Sequence, residues 1–299
     1  MRTVISLLQN AVRDFGDMPF LGQKVADSYS TTSYIETDAL STALAAALVL
    51  EGFKKGDNIA ILSEGRSSWV IGEFGLLKAG CTSVPLSTKL TVEEIVFRLD
   101  HSESEAILVS ENNFPKIVEA LQTTKKKTRV ICISDRTGSF DEAIKAAGLK
   151  MGKALFFYDD LIAQGRSALE GKDGSELKAR LAAIEEGIQE DDTVTICYTS
   201  GTTGNPKGIM LTHLNYWHNS HDSAKIVQVE KGWKSLIMLP LDHSFAHTVG
   251  IYIFLLRGLC MYFVDARGGS LSALRNLPKN LVETNSDFLL CGPASPATS

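Results

Sequence analysis

From residue 57 onward, short β-branched and apolar runs alternate with longer segments of helical periodicity. This alternation constrains the fold more than any other feature of the chain. Residues 58–62, 82–84, 106–109 and 129–133 read as strands, and 67–78, 91–102, 112–122 and 140–147 read as the helices between them. Two strands separated by a helix need a crossover, so they pair in parallel, and a parallel sheet requires cover on both faces. The expected fold class is α/β, with mostly parallel sheets covered by helices. The pattern resumes after a glycine-rich loop near Gly201 with helix 214–226, strand 235–239, helix 245–256, strand 259–264, helix 271–283 and strand 287–290. The more polar stretch 156–190 reads as surface helices rather than as a linker. Near the N-terminus, Val4, Leu7, Leu8, Ala11, Val12 and Phe15 share one helical face.

Composition narrows the function classes. With 299 residues, 44% hydrophobic and 22% charged, the chain can bury a sizeable core. A net charge of −5 offers no long-range attraction to nucleic acid, and the one basic run, Lys125-Lys126-Lys127, reads as a solvated turn. Cys81, Cys132, Cys197, Cys260 and Cys291 stand singly, mostly in apolar runs, as small buried hydrophobes of a reducing compartment do. The apolar segment 249–264 is interrupted by Arg257 and Gly258, short of the roughly 18 or more unbroken residues of a spanning helix. The expectation is a cytoplasmic protein without a transmembrane segment, with peripheral membrane contact left open.

The chemistry concentrates after an apolar strand, 193–198, which empties into Thr199-Ser200-Gly201-Thr202-Thr203-Gly204-Asn205-Pro206-Lys207-Gly208. Gly201, Gly204 and Gly208 allow positive φ and close backbone approach, so successive N–H groups can converge on phosphate oxygens. The hydroxyls of Thr199, Ser200, Thr202 and Thr203 add donors and ligands for a phosphate-bound Mg²⁺, and Lys207 adds a mobile positive charge. A plain turn needs far fewer of these groups. A Walker A loop is excluded because Pro206 and Gly208 occupy its second glycine and hydroxyl positions, which argues against a P-loop kinase or ATPase.

The run from Tyr198 to Gly208, followed by Thr212-His213 and a helix, resembles the phosphate-binding signature of the adenylate-forming superfamily of acyl-CoA synthetases, luciferases and nonribosomal peptide adenylation domains. Three further segments agree in order: Ser33-Tyr34-Ile35-Glu36 with Gly56-Asp57; Lys78-Ala79-Gly80 with Val84-Pro85-Leu86; and Leu239-Pro240-Leu241-Asp242-His243-Ser244-Phe245. The wording of the loop, the Pro-Leu-x-His element and the long polar insert before the loop most resemble long-chain fatty acid CoA ligases. His243 and His247, four residues apart, could suggest a metal pair, as could His218 and His221. Without a third ligand at a recognisable spacing, polar-face or core histidines are the better reading.

The resemblance implies an AMP-forming acid–thiol ligase using ATP, Mg²⁺ and coenzyme A to activate a long-chain fatty carboxylate. It implies that Thr199, Ser200, Gly201, Thr202, Thr203, Gly204 and Lys207 hold the nucleotide and that Thr202 and Lys207 act in catalysis. It further implies that Thr202 binds the metal and that His243 and Phe245 line the acyl site. The apolar run 249–256 reads mainly as core, with a share in the acyl wall. The expected organisation is residues 1–56 packing on a second subdomain, 57–230 as the first α/β subdomain with the phosphate loop at 199–208, and 231–299 as an incomplete second subdomain. The family's Tyr-Gly-x-Thr-Glu element and mobile C-terminal domain have no counterpart, since no Tyr-Gly or Thr-Glu pair occurs in the sequence. The expectation is a partial large N-terminal domain of the adenylate-forming fold, inactive by itself. The alternative is a non-catalytic nucleotide-binding or interaction module.

Overall fold

A computed structural model gives the structure for residues 1–133, 138–199 and 206–290. The chain opens with α1 (Val4–Phe15), the strands β1 (Pro19–Val25) and β2 (Ser28–Ser33), and the long helix α2 (Tyr34–Leu50). It continues through β3 (Asn58–Leu62), α3 (Ser67–Lys78), β4 (Thr82–Leu86), α4 (Val92–His101), β5 (Ala106–Val109), α5 (Phe114–Ala120), β6 (Arg129–Cys132) and α6 (Gly138–Ala147). Then come β7 (Leu155–Phe157), α7 (Tyr158–Glu170), α8 (Gly174–Glu186), β8 (Thr193–Thr199), β9 (Lys207–Thr212) and α9 (His213–Ile226). The last described elements are β10 (Lys234–Ile237), a π-helix (Ala246–Tyr252), α10 (Ile253–Arg257), β11 (Cys260–Phe263) and α11 (Ser270–Thr284).

The helix starts are written locally. Thr3, Ser33, Thr91 and Thr212 each accept a backbone N–H three residues on, and Ser6, Glu36, Glu94 and Asn215 reciprocate. Each such cap stabilises its helix by about 1 kcal/mol.

Two sheets result. Seven strands run in the order β7-β6-β5-β3-β4-β8-β9 and four in the order β10-β11-β1-β2. All neighbouring pairs are parallel except the hairpins β8–β9 and β1–β2. One face of the seven-stranded sheet carries α4, α5 and α6 through Ile95, Leu99, Phe114, Ile117 and Phe140. The other face belongs to a larger core in which α1, α2, α3 and α7 meet residues of the four-stranded sheet such as Phe20, Met261 and Phe263. α2 is buried nearly all round and lies close to α7, where a Cβ on Gly165 would fall 1.8 Å from the Ala43 oxygen. Only glycine permits that backbone contact.

Several expectations change. The stretch 156–190 is not all surface, because Leu155–Phe157 forms an edge strand and α7 buries Leu161 and Ile162. Residues 207–212 form a strand, not the lead into a helix. None of the six is buried, as suits a strand at the sheet edge. Helix 245–256 is π-helical over its first part. Of the strand at 287–290, a single bridge from Phe288 to Ser235 is present. Cys81, Cys132, Cys197 and Cys260 are buried free thiols; Cys291 lies outside the described residues.

Candidate functional site

β8 lies between β4 and β9, with Ser83 opposite Thr195, so its end emerges at the carboxyl edge of the parallel strands. Ligands of open α/β sheets bind beyond that edge. Val194 and Cys197 anchor the strand in the core. Thr195 Oγ1 lies 2.8 Å from the Tyr216 hydroxyl of α9, and Thr82 Oγ1 donates to the Thr193 oxygen at 3.2 Å. Tyr198 is pinned by α4: its hydroxyl is 2.8 Å from His101 Nδ1, and the Arg98 guanidinium lies 5.4 Å from its ring centroid.

Across the hairpin, Thr199 faces Lys207 and Tyr198 faces Gly208. Both Thr199 and Lys207 are exposed, and the Lys207 ammonium has no ion-pair partner among the described residues. Gly208 differs from expectation. It is an extended strand residue without positive φ, and a Cβ there would come 2.8 Å from Ile196 Cγ2. Its glycine serves close approach and not turn geometry. Ser200, Gly201, Thr202, Thr203 and Gly204, and with them the Mg²⁺ ligand expected at Thr202, lie outside the described residues.

The acyl-side candidates follow β10. Leu241 is buried, His243 is exposed, and His243 Nδ1 accepts the Phe245 N–H at 3.3 Å, which leaves Nε2 to carry the proton of the neutral ring. Burial raises the pKa of the neighbouring Asp242. Phe245 is half exposed and lines a cavity of about 300 Å³ with Val249, Ile253, Phe254, Leu259 and Phe288. Ile251 and Tyr252, between these, are fully buried, so the run 249–256 contributes to core and cavity together. No hydrogen bond or ion pair among the described residues joins Lys207 to His243. The link between the two sides is indirect, through Thr195, Tyr216 and His247, whose ring centroid is 5.6 Å from that of Tyr216.

His247 Nε2 is 2.9 Å from Glu73 Oε1, and both residues are fully buried. The signal for Glu73 was one carboxylate inside an otherwise apolar helix, Ser67–Lys78, but nothing in the order of residues pairs it with position 247. His221 stacks on Trp217 at 3.7 Å and donates from Nδ1 to the Trp217 oxygen. No group of three or more metal-ligating residues occurs among the described residues. At the opposite end of the β8–β9 hairpin, His213 Nδ1 accepts the Val4 N–H at 3.2 Å, and burial lowers its pKa to about 4. No helix among the described residues is long and apolar enough to cross a membrane.

The family model described as AMP-binding enzyme matches residues 8–285. A chloroplastic long-chain-fatty-acid–acyl-carrier-protein ligase of Arabidopsis thaliana is 28% identical over 260 residues, covering 85% of this chain and 34% of its own length. The FadD15 long-chain-fatty-acid–CoA ligase of Mycobacterium bovis is 31% identical over 214 residues, covering 71% and 32%. The chain thus spans about a third of the length of these curated relatives. Among solved structures, the adenylation domain of a carboxylate reductase from Mycobacterium chelonae superposes with a TM-score of 0.75 at 21% identity, covering 96% of this chain and 45% of that one. The N-terminal domain of FACL13 from Mycobacterium tuberculosis gives a TM-score of 0.66 at 23% identity, covering 88% and 57%. These two likenesses support the fold.

Proposed function

Because the chain belongs to the AMP-binding enzyme family, we propose that it supplies the phosphate-binding edge and part of the acyl wall of a ligase that activates a long-chain fatty carboxylate as its acyl adenylate. The observation that carries this reading is the end of β8 at the carboxyl edge of the parallel strands, with the exposed Thr199 and Lys207 side by side at the mouth of the hairpin. The names of the relatives, ligases of long-chain fatty acids, supply the substrate class.

In the proposed reaction a carboxylate oxygen attacks the α-phosphorus of MgATP, releasing pyrophosphate, and the coenzyme A thiol then attacks the acyl carbon, forming the thioester and releasing AMP. The work of the protein is positioning and charge neutralisation. Lys207 stabilises the departing phosphates, Thr199 with Ser200, Gly201, Thr202, Thr203 and Gly204 supplies donors, and Thr202 ligates the phosphate-bound Mg²⁺. His243 and Phe245 flank the acid. The subdomain division at residues 57–230 and 231–299 belongs to the same reading, supported by the pairing of β1 with β11, and so does a cytosolic location.

The complete protein, given MgATP and palmitate, should release pyrophosphate in a palmitate-dependent way. The 299 residues alone should not, since they contain no Tyr-Gly-x-Thr-Glu element. Silence from the complete protein would return the chain to a non-catalytic nucleotide-binding or interaction module. Turnover by the 299 residues alone would show that they hold a whole site.

A further inference from the structure

Between α3 and the π-helix lies a set of buried polar groups that the proposed chemistry does not use. Glu73 and His247, 174 positions apart, meet at 2.9 Å with no exposure to solvent. The other ring nitrogen of His247, Nδ1, is 3.3 Å from the backbone oxygen of His243. A carbonyl oxygen only accepts, so Nδ1 carries a hydrogen. A further proton must then lie between Nε2 and Oε1, because two facing lone pairs would repel. Burial opposes charge on the ring, but the Glu73 carboxylate, its hydrogen bond, the His243 carbonyl and Asp242 outweigh burial and raise the His247 pKa.

Stability does not account for such a pair. Buried ion pairs are commonly replaced by apolar residues without loss. Here Glu73 Oε2 and the neighbouring Tyr252 hydroxyl also lack a hydrogen-bond partner among the described residues, which costs further free energy. Its placement is more telling. Nδ1 holds the His243 carbonyl, which also receives the Ala246 N–H at 2.8 Å, so the ring ties down the turn that presents His243 and Phe245. Trp69 of α3 packs on the ring from one side at 5.5 Å and Tyr216 of α9 at 5.6 Å, and the Tyr216 hydroxyl reaches Thr195 of β8.

We propose that Glu73 and His247 are a proton-sharing positioning pair that fixes the turn 240–246 against β8 and so sets the spacing between the acid side and the phosphate side of the site. The inference rests on the adenylate-forming reading. Neither residue touches reacting atoms. The second proton lies between His247 Nε2 and Glu73 Oε1. The other titratable groups facing them are Asp242 and His243 from the turn, Tyr216 from α9, Tyr252 from the π-helix and Cys197 from β8. Burial raises the pKa of Tyr216, Tyr252 and Cys197, so these three remain uncharged at neutral pH.

Two measurements test this. Imidazole ¹⁵N NMR of the 299-residue chain should show hydrogen on Nδ1, a hydrogen-bonded proton at Nε2, and a ring titration shifted above the ordinary histidine value. A ring with a bare Nδ1, or with no hydrogen-bonded proton at Nε2, would refute the shared proton. In the complete protein, Glu73→Gln keeps the shape and should raise KM for palmitate about tenfold, with KM for ATP changed less than about twofold. Glu73→Met combined with His247→Leu keeps an apolar fit, and should melt no lower than the wild type yet show the same loss. Recovery of the wild-type palmitate KM in that double variant would reduce the pair to packing and overturn the proposal, as would an equal rise in both KM values. If the wild type itself released no palmitate-dependent pyrophosphate, the functional reading and the positioning role would fall together, while NMR would still decide the state of the pair.

Discussion

The two sides of the candidate site are built on opposite principles. At the phosphate side, Thr199 and Lys207 stand exposed on a hairpin whose neighbouring segment is rich in glycine and hydroxyls, and every contributing residue lies within ten positions. On the acid side, His243 and Phe245 owe their placement to a π-helix, a buried carboxylate from α3 and an aromatic ring from α9. A polyanion can be held by backbone donors and one cation, which local sequence can supply. A carboxylate joined to an apolar chain needs a walled cavity, and walls come from distant parts of the chain. The phosphate side should therefore tolerate substitution without loss of fold, whereas protonating a buried group such as His213 should register in stability.

The largest expected effect tests the buried class. His213 holds the first N–H of α1, and its pKa falls from an ordinary value near 6.5 to about 4. Below pH 6.5 the unfolded chain takes up this proton and the folded chain does not, so the contribution is full above pH 6.5 and is lost as pH falls towards 4. The total is on the order of 3 kcal/mol. Denaturant melts across that window should show the slope, and His213→Asn, whose side-chain oxygen can still accept the Val4 N–H, should flatten it. A slope that persists in the variant would assign the effect to another group.

Lys207→Ala tests the exposed class. A charge-assisted hydrogen bond to phosphate contributes roughly 1.5–3 kcal/mol, so adenylation in the complete protein should fall about ten- to hundredfold. The melting temperature should hardly move, because the ammonium is exposed and has no ion-pair partner among the described residues. A matching drop in thermal stability would erase the contrast between the two sides. The smallest effect is expected at the cavity mouth. Phe245 is 48% exposed, so Phe245→Ala removes part of a wall at a cost of about 1 kcal/mol. It should raise KM for a long acid severalfold while leaving a short acid unaffected. Equal effects on both acids would detach the cavity from acyl binding.

What could be read in advance follows the same division. The βα alternation identified β3, β4, β5, β6 and β8 of the seven-stranded sheet and the helices between the first four, since strand and helix periods are local properties of residue order. The caps at Ser33, Thr91 and Thr212 are equally local, each closed by Glu36, Glu94 or Asn215 three residues on. The hairpin partner β9 escaped notice because Pro206 and Gly208 read as loop chemistry. In the fold, Gly208 is a strand residue chosen to clear Ile196.

The residue order by itself determined the fold class, the approximate helix positions and the glycine- and hydroxyl-rich loop proposed to hold a polyphosphate, because each depends on neighbours a few positions apart. Tertiary structure alone decided that β1 pairs with β11 across some 240 positions, that His247 meets Glu73, and that Tyr216 ties β8 to the turn bearing His243. Those contacts depend on which faces the packed layers bring together. A proton shared between two buried groups has no counterpart in the order of residues until the core has closed around it.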